Sequence, residues 1–369
     1  MAHEIMIVMT DAYENQPDPI RSFDASAFDA ELQSLVAAPN LAELRIALAE
    51  LRGRWLHKEQ AQTNDQSIDF PHSFIAAELA QINAAQTIER ARHYVERLRR
   101  CAGEPRTNNV NDLDLNRWKT YGDIQTDSFW QIERRDRGGA HTANYWGNFV
   151  PQIPNQMMRR YTKKGDWVLD AFAGSGTSLI EARRLGRNCL GVELQEPVAT
   201  TARATLAAEA NPHDTIGEIT VADSVSTDFR ALLAHHNQHH AQLALLHPPY
   251  HDIIRFSDDP RDLSNSTTVE NFIAQLGQIA ENVAHALAPQ GYLVLVIGDK
   301  YARGEWLPLG FQAMGEVQER GFTLKSIVVK NFDETTGKRT QKELWRYRAL
   351  SGGFFVFKHE YIFVFEKRA

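Results

Sequence analysis

At 369 residues, with 43% hydrophobic and 24% charged residues, the chain has the composition of a globular protein and room for one large domain plus a smaller one, which excludes wholesale disorder. A formal net charge of −7 argues against nucleic-acid binding over the whole surface, although a local basic patch is compatible with it. Cys101 and Cys189 form neither a metal-ligand spacing nor a disulfide framework, no span approaches the roughly 20 apolar residues of a membrane helix, and residues 5–9 are too short a run for a signal peptide, so the expectation is a cytoplasmic protein with no metal and no membrane contact.

Residues 1–20 carry acids, prolines and Asn15 and read as a loose or strand-like start. From Ser22 to about Arg100 the pattern turns helical. Leu41, Leu44, Leu48, Leu51 and Trp55 recur at steps of three and four, and Ile75, Leu79 and Ile82 begin a second stripe after Pro71. Such stripes pack against each other or against a following domain. The run Arg90, Arg92, Arg97, Arg99 and Arg100 ends the second helix and reads either as a solvated face or as a phosphate-contacting one. Residues 103–127 are rich in Asn, Asp and Thr and read as a linker or long loop. Residues 1–125 are therefore expected to form a mainly helical domain, available for DNA recognition or partner contact, and residues 126–369 a second domain.

In the second domain apolar runs alternate with helix-like segments, the mark of an α/β sheet. Strands are expected at 167–170, 188–192, 217–222, 241–246 and 292–297, and helices at 178–185, 197–210, 269–287 and 309–320. Two final strands, 322–330 and 354–366, have no clear helical segment between them and should pair antiparallel at one edge, with 331–353 as a basic and aromatic insertion. The expected fold class is α/β: a seven-stranded, mostly parallel, doubly wound sheet with an antiparallel edge strand, plus the helical N-terminal domain.

Ligands of open α/β sheets bind outside the carboxyl ends of the strands. VLDAFAGSGTS, residues 168–178, reads as a strand, a glycine turn and a helix start, in which Gly174 and Gly176 permit positive φ and close backbone approach, and Thr177 and Ser178 offer hydroxyls beside free helix N–H groups. Asp170 ends the first strand, Glu193 the second, Asp223 the third, and His247-Pro248-Pro249-Tyr250 the fourth. A carboxylate after the second strand suits ribose hydroxyls, and one after the third suits an exocyclic adenine amine. Leu179 stands where a nicotinamide fingerprint has its third glycine, and the lysine of a phosphate-cradling P-loop is absent. Asp170 would repel a pyrophosphate but suits a cationic ligand end, so a sulfonium amino acid with an adenosine tail satisfies all three carboxylates.

On these residues the chain from about Tyr145 to Lys367 resembles the S-adenosylmethionine-dependent amino-methyltransferases that modify DNA at adenine N6 or cytosine N4. DAFAGSGT resembles their DPFAGSGT cofactor motif with Ala171 for proline, HPPY their (Asp, Asn or Ser)-Pro-Pro-(Tyr or Phe) motif, NYWGNFVPQIP the segment that closes over the cofactor, and HEYIFVFEK their last strand. The resemblance implies a Rossmann-like methyltransferase with S-adenosyl-L-methionine held by Asp170, Phe172, Ala173, Gly174, Gly176, Thr177, Glu193, Asp223, Tyr145 and Phe149. It also implies a catalytic set of His247, Pro248, Pro249 and Tyr250, the Pro248 carbonyl and the first side chain accepting from the target amine and Tyr250 stacking on the flipped base.

His247 is the departure, since the family places Asp, Asn or Ser there. A neutral imidazole accepts a hydrogen bond and an imidazolium cannot. Either His247 is the working acceptor, with activity falling on acidification around pH 6 to 7, or the chain is an inactive cofactor-binding homologue. No recognition domain fits between Asp223 and Leu245, so target reading falls to residues before 125 or to the insertion, whose Lys338, Arg339, Lys342, Trp345, Arg346 and Arg348 suit phosphate contact with base stacking, unless they form a solvated loop. The polar stretch FSDDPRDLSN is expected as a loop over the site. The expected partners are double-stranded DNA and the restriction or defence components that accompany such enzymes. RNA or protein-glutamine methylation, and a cofactor-binding subunit presenting nucleic acid, are the alternatives.

Overall fold

The computed structural model describes residues 18–57, 67–142, 145–331 and 342–368, and its backbone divides into two units, 1–107 with 113–123 and 108–112 with 124–369. In the first unit β1 (Ile20–Asp24) pairs antiparallel with β2 (Ser67–Pro71), around helices α1 (Ala25–Val36), α2 (Leu41–His57), α3 (His72–Asn83) and α4 (Ile88–Arg100). The two helical stripes meet: Leu44, Leu48, Leu51 and Trp55 of α2 share one core with Ile75, Leu79 and Ile82 of α3. The arginines of α4 are largely engaged inside this unit. Arg97 and Lys119 hold the buried Glu78 at 2.5 and 2.6 Å, Arg99 bridges Asp29 and Glu96, Arg92 donates to the Ala38 carbonyl, and Arg90 to the Tyr94 hydroxyl.

The second unit contains, in chain order, β3 (Phe129–Gln131), α5 (Gln152–Tyr161), β4 (Trp167–Asp170), α6 (Thr177–Leu185), β5 (Asn188–Glu193), α7 (Glu196–Ala208), β6 (Gly217–Val221), α8 (Phe229–Ala234), β7 (Ala241–Leu246), α9 (Val269–Ala286), β8 (Leu287–Ile297), β9 (Lys300–Ala302), β10 (Glu305–Leu307), α10 (Leu309–Glu319), β11 (Phe322–Asn331), α11 (Lys342–Gly352) and β12 (His359–Lys367). Its main sheet has eight strands in the order β3-β11-β12-β8-β7-β4-β5-β6, and β9 and β10 form a separate hairpin. One face is covered by α8, α9 and α10, through residues such as Phe229, Phe272, Leu276 and Leu309, and the other by α5, α6 and α7, through Ile153, Met157, Leu179 and Ala202. Apolar residues dominate β4 and β7 because both faces of each strand are buried, as a doubly wound sheet requires.

Two features differ from the sequence expectation. β11 and β12 do pair antiparallel, but the reversed strand β12 lies inside the sheet, antiparallel to β8 as well, and the three-residue β3 adds an eighth strand parallel to β11 at the edge. A three-residue strand in a segment mixing aromatics with arginines carries no alternation to detect. Residues 342–352, expected within an insertion with no clear helical segment, form α11: KELWRYRALSG contains good helix formers, no proline and no β-branched residue. Its apolar Leu344, Tyr347 and Leu350 recur at steps of three but make a stripe of only two turns, and they are exposed.

The site follows from the strand order. β5 and β6 lie to one side of β4, and β7 and β8 to the other, so the order reverses between β4 and β7. Those two strands pair directly, Asp170 opposite Leu245, and Ala171 N donates to Leu245 O at 3.2 Å. FAGSGT leaves the end of β4 and HPPY the end of β7, so the two motifs open at the switch point where such sheets bind ligands.

Candidate active site

A cavity of about 1480 Å³ opens there, lined by all four residues of HPPY and by Tyr145, Phe149, Phe172, Ala173, Gly174, Glu193 and Asp223. The glycine turn has the expected backbone: φ is +51° at Gly174 and +81° at Gly176. A Cβ at Gly174 would come within 3.2 Å of the Tyr145 ring, so the close approach of 145–149 to the turn depends on glycine. Ser175 reaches the same segment, donating to Asn148 Oδ1 at 2.5 Å.

The carboxylates shape the pocket through the backbone. Glu193 accepts from Gly174 N and Gln195 N, each at 3.0 Å, and burial raises its carboxyl above the ordinary value. Asp223 accepts from Val225 N at 2.9 Å. Asp170, Gly176 and Thr177, expected at the cofactor, do not reach the cavity wall. Asp170 is 1% exposed beneath the turn, its Oδ1 accepting from Phe172 N at 3.0 Å. Burial pushes this carboxyl up to about 6, against the Phe172 amide and the Ser178 hydroxyl, which lies near enough to favour the charge but outside hydrogen-bonding geometry and leaves Oδ2 without a partner.

The HPPY end is built differently. Tyr250 donates its hydroxyl to Glu360 Oε2 at 2.9 Å, His247 Nε2 lies 3.1 Å from the same hydroxyl oxygen, and Lys330 donates to Glu360 Oε1 at 2.9 Å. Lys330 of β11 stands directly opposite Glu360 of β12 in the antiparallel register. Phe149 stacks on the His247 ring with centroids 4.8 Å apart and planes at 21°. Gly298, just past β8, leaves room for the Tyr250 ring, since a Cβ there would lie 2.9 Å from it. Burial drives the His247 imidazole down to about 4; Glu360 opposes this and Lys330 adds to it. Burial thus works against protonation of the ring at the pH 6 to 7 expected from an ordinary imidazole. Burial works most strongly against ionisation of Glu360, but the Lys330 ammonium, His247 and the Tyr250 hydroxyl together outweigh it and hold the carboxyl below its ordinary value.

Sequence reasoning misses Glu360 and Lys330. The available signal is a charge of each sign set into apolar strand sequence, in KHEYIFVF and SIVVKN. The loop FSDDPRDLSN lines the cavity through Phe256, Arg261, Asp262 and Leu263, with Phe256 stacked on Tyr145. It is less exposed than its polarity suggests, because the buried Asp262 accepts from Ser257 Oγ and Ser264 N. Of the residues expected at nucleic acid, Trp345 lies on the cavity wall, while Arg346 and Arg348 do not, and the Arg348 guanidinium sits over the Trp345 ring at 5.2 Å. Lys338 and Arg339 fall outside the described residues, as do the side chain of Lys342 and Asn144. Among the described residues no cluster of His, Cys, Asp and Glu suits a metal ion, and no helix is long and apolar enough to cross a membrane.

The residues present fit S-adenosylmethionine. Two strand-end carboxylates and the Gly174 cradle lie on one wall, and Asp170 below the turn keeps an unpartnered oxygen. Residues 58–204 match the family described as DNA methylase, a stretch that includes the glycine turn and ends before HPPY. The type II methyltransferase M2.DpnII of Streptococcus pneumoniae is 39% identical over 67 residues, 17% of this chain and 25% of that protein. M.BglI of Bacillus subtilis, another type II methyltransferase, is 32% identical over 87 residues, 24% of this chain and 23% of its own. The chain thus spans a quarter or less of the length of these curated relatives. The solved structure of TrmN from Thermus thermophilus aligns over 59% of this chain and 49% of its own, at 18% identity and a TM-score of 0.37. Through the match over residues 58–204 and these two type II relatives the chain is similar to the N6/N4 DNA amino-methyltransferases, and its glycine turn and strand-end carboxylates suit S-adenosylmethionine as the cofactor.

Proposed function

We propose that the protein methylates an exocyclic amine, adenine N6 or cytosine N4, of a base flipped out of double-stranded DNA. One observation carries the reading: the glycine turn after β4 and HPPY after β7 share a single cavity of about 1480 Å³. That exceeds the roughly 300–1,000 Å³ of ordinary small-molecule pockets, so a nucleotide has room beside the cofactor. When bound, S-adenosylmethionine supplies an electrophilic methyl group on its sulfonium sulfur. Glu193 would hold the ribose and Asp223 the adenine, while Tyr145 and Phe149 close the wall. Asp170 orients the turn from below through Phe172 N, and its carboxyl would favour a cationic ligand end above the turn.

The target amine is a weak nucleophile because its lone pair is delocalised into the ring. Acceptors at its two protons draw the nitrogen toward tetrahedral geometry and free that lone pair for attack. The Pro248 carbonyl and His247 are those acceptors. His247 qualifies because burial keeps its imidazole uncharged at neutral pH, with one nitrogen lone pair available. Tyr250 and the aromatic wall that includes Trp345 would hold the flipped base, and the exposed Arg346 and Arg348 would meet phosphates.

The test is transfer of label from radioactive S-adenosylmethionine to genomic DNA of a methylation-free host, with RNA and protein in parallel. Label in DNA alone is expected, and modified-base sequencing of that DNA then identifies base and site. Label in RNA or protein, or in none of the three, would reject the reading.

A further inference from the structure

We infer that Glu360 and Lys330 are positioning residues which, through the Tyr250 hydroxyl, hold His247 in the tautomer protonated on Nε2 and so leave Nδ1 to accept from the target amine. The assignment of that amine rests on the function proposed above; the control of the tautomer does not.

A tyrosine hydroxyl has one proton and lone pairs on its oxygen. The Tyr250 hydroxyl has two neighbours, Glu360 Oε2 at 2.9 Å and His247 Nε2 at 3.1 Å. Glu360 is a carboxylate, since the Lys330 ammonium donates to its other oxygen, and a carboxylate only accepts. The hydroxyl proton therefore points at Glu360, and the oxygen lone pair is what faces Nε2. Nε2 must carry the hydrogen for that contact to be a hydrogen bond. A neutral imidazole has a single N–H, so Nδ1 keeps its lone pair. Nδ1 has no hydrogen-bond partner among the described residues and is absent from the buried unpartnered atoms, so it reaches the cavity that His247 lines. Phe149, stacked on the ring, fixes its plane.

This device answers the departure from Asp, Asn or Ser at the first motif position. A carboxylate, amide or hydroxyl oxygen is an acceptor without further help, whereas an imidazole presents a donor or an acceptor according to where its proton sits. With Glu360 gone, the Tyr250 hydroxyl is free to donate to Nε2, and the proton then belongs on Nδ1, where a donor would face the donor of the amine. The charged and titratable groups around His247 are Glu360 on β12, Lys330 on β11 and Tyr250 in its own segment.

The experiment uses the full chain labelled with ¹⁵N-histidine, the His247 signals being identified by their loss in His247→Asn. At pH 7.5 the wild-type spectrum should show Nε2 protonated and Nδ1 not; the reverse would overturn the inference, and this arm leaves Glu360, Lys330 and Tyr250 unchanged. Replacing both charges, Glu360→Leu with Lys330→Met, avoids an unpaired buried ion. That double variant should shift His247 toward Nδ1–H and lower kcat on methylation-free genomic DNA by roughly tenfold or more, the scale of one misplaced hydrogen bond. Its dissociation constant for S-adenosylmethionine should be unchanged, which also reports a folded pocket. In the His247→Asn background the same double change should alter kcat by less than about twofold, because an amide oxygen needs no tautomer control. An equal loss in both backgrounds would mean a merely structural role and reject the inference. If no DNA is methylated while the tautomer behaves as described, the function reading falls and the tautomer control stands. If DNA is methylated while Nδ1 carries the proton, the function reading stands and the tautomer control falls.

Discussion

At the β4 end of the cavity the wall is made from the backbone of a short stretch of chain: Glu193 receives the amides of Gly174 and Gln195, and Asp223 that of Val225. At the β7 end it is made from side chains that meet across strands, with Tyr250 and Glu360 separated by 110 positions and Lys330 set opposite Glu360 by the pairing of β11 with β12. The first end is a local motif that needs glycine and a nearby carboxylate. The second exists only once the reversed strand β12 has been inserted between β8 and β11. Under the proposed function, cofactor binding rests on turns at adjacent parallel strand ends, whereas handling of the methyl acceptor depends on the register of the reversed strand.

If the two ends are separable, substitutions should divide the reaction accordingly. Tyr250→Ala removes both the expected stacking wall and the hydroxyl between His247 and Glu360, and methyl transfer should fall at least about a hundredfold. The affinity for S-adenosylmethionine, measured by calorimetry, should survive that change; its loss would mean that the two ends are one pocket after all. Gly174→Val is the complement. The residue has φ +51°, and its new Cβ would meet Tyr145 at 3.2 Å, so cofactor affinity should drop about tenfold or more. The spectrum of His247 in that variant should stay as in the wild type.

The same division decides what is legible in the sequence. Strands β4 and β7 can be read to the residue, since 167–170 and 241–246 are apolar runs with an abrupt polar end, and the positive φ of Gly174 and Gly176 follows from the turn they form. The stripe from Leu41 to Trp55 is likewise visible as a helix because its apolar face is buried. Asp170 stands out in the sequence, but its depth beneath the wall does not, because position at a strand end does not say which way a carboxyl is turned. Glu360 and Lys330 stay hidden because a charge in a strand acquires meaning only through its partner, and the register that pairs them is a property of the assembled sheet. α11 escapes because it is only 11 residues long, too short for its apolar Leu344, Tyr347 and Leu350 to make a clear stripe among its charged residues.

Acidification should separate the two ends more gently. Burial lowers His247 to about 4, so if His247 is the acceptor, as proposed, it stays neutral and kcat should be level from pH 8 to about 5, declining only toward 4. Burial raises Asp170 to about 6, so as pH falls through that value the carboxylate proposed to lie beneath the cationic end is neutralised, and KM for S-adenosylmethionine should rise by a few fold while kcat holds. The stability signs are opposite. The depressed His247 costs stability as pH falls from its ordinary 6.5 toward 4, and the raised Asp170 costs stability as pH rises from its ordinary 3.8 toward 6. A kcat that halves near pH 6.5 would show the imidazole to be solvated and remove the contrast.

The smallest effects should come from the arginines, and these compare α11 with α4. Arg346 and Arg348 are exposed and lie on the element that brings Trp345 to the cavity. Arg97 and Arg99 of α4 are bound to Glu78, Asp29 and Glu96 of their own unit and have little guanidinium left to offer. A phosphate contact releases counterions, so removing one lowers the slope of log affinity against log salt by about 0.9. Arg346→Ala and Arg348→Ala should each weaken DNA binding by a few fold at low salt, flatten that slope by about one such increment, and leave kcat at saturating DNA unchanged. Arg99→Ala should lower the melting temperature slightly and leave the slope alone, because a surface pair contributes about 1 kcal/mol or less to folding and no counterion to the complex. If Arg99→Ala flattens the slope and the α11 variants do not, the nucleic-acid face belongs to α4, and the bonds its arginines make within the unit must open when DNA binds.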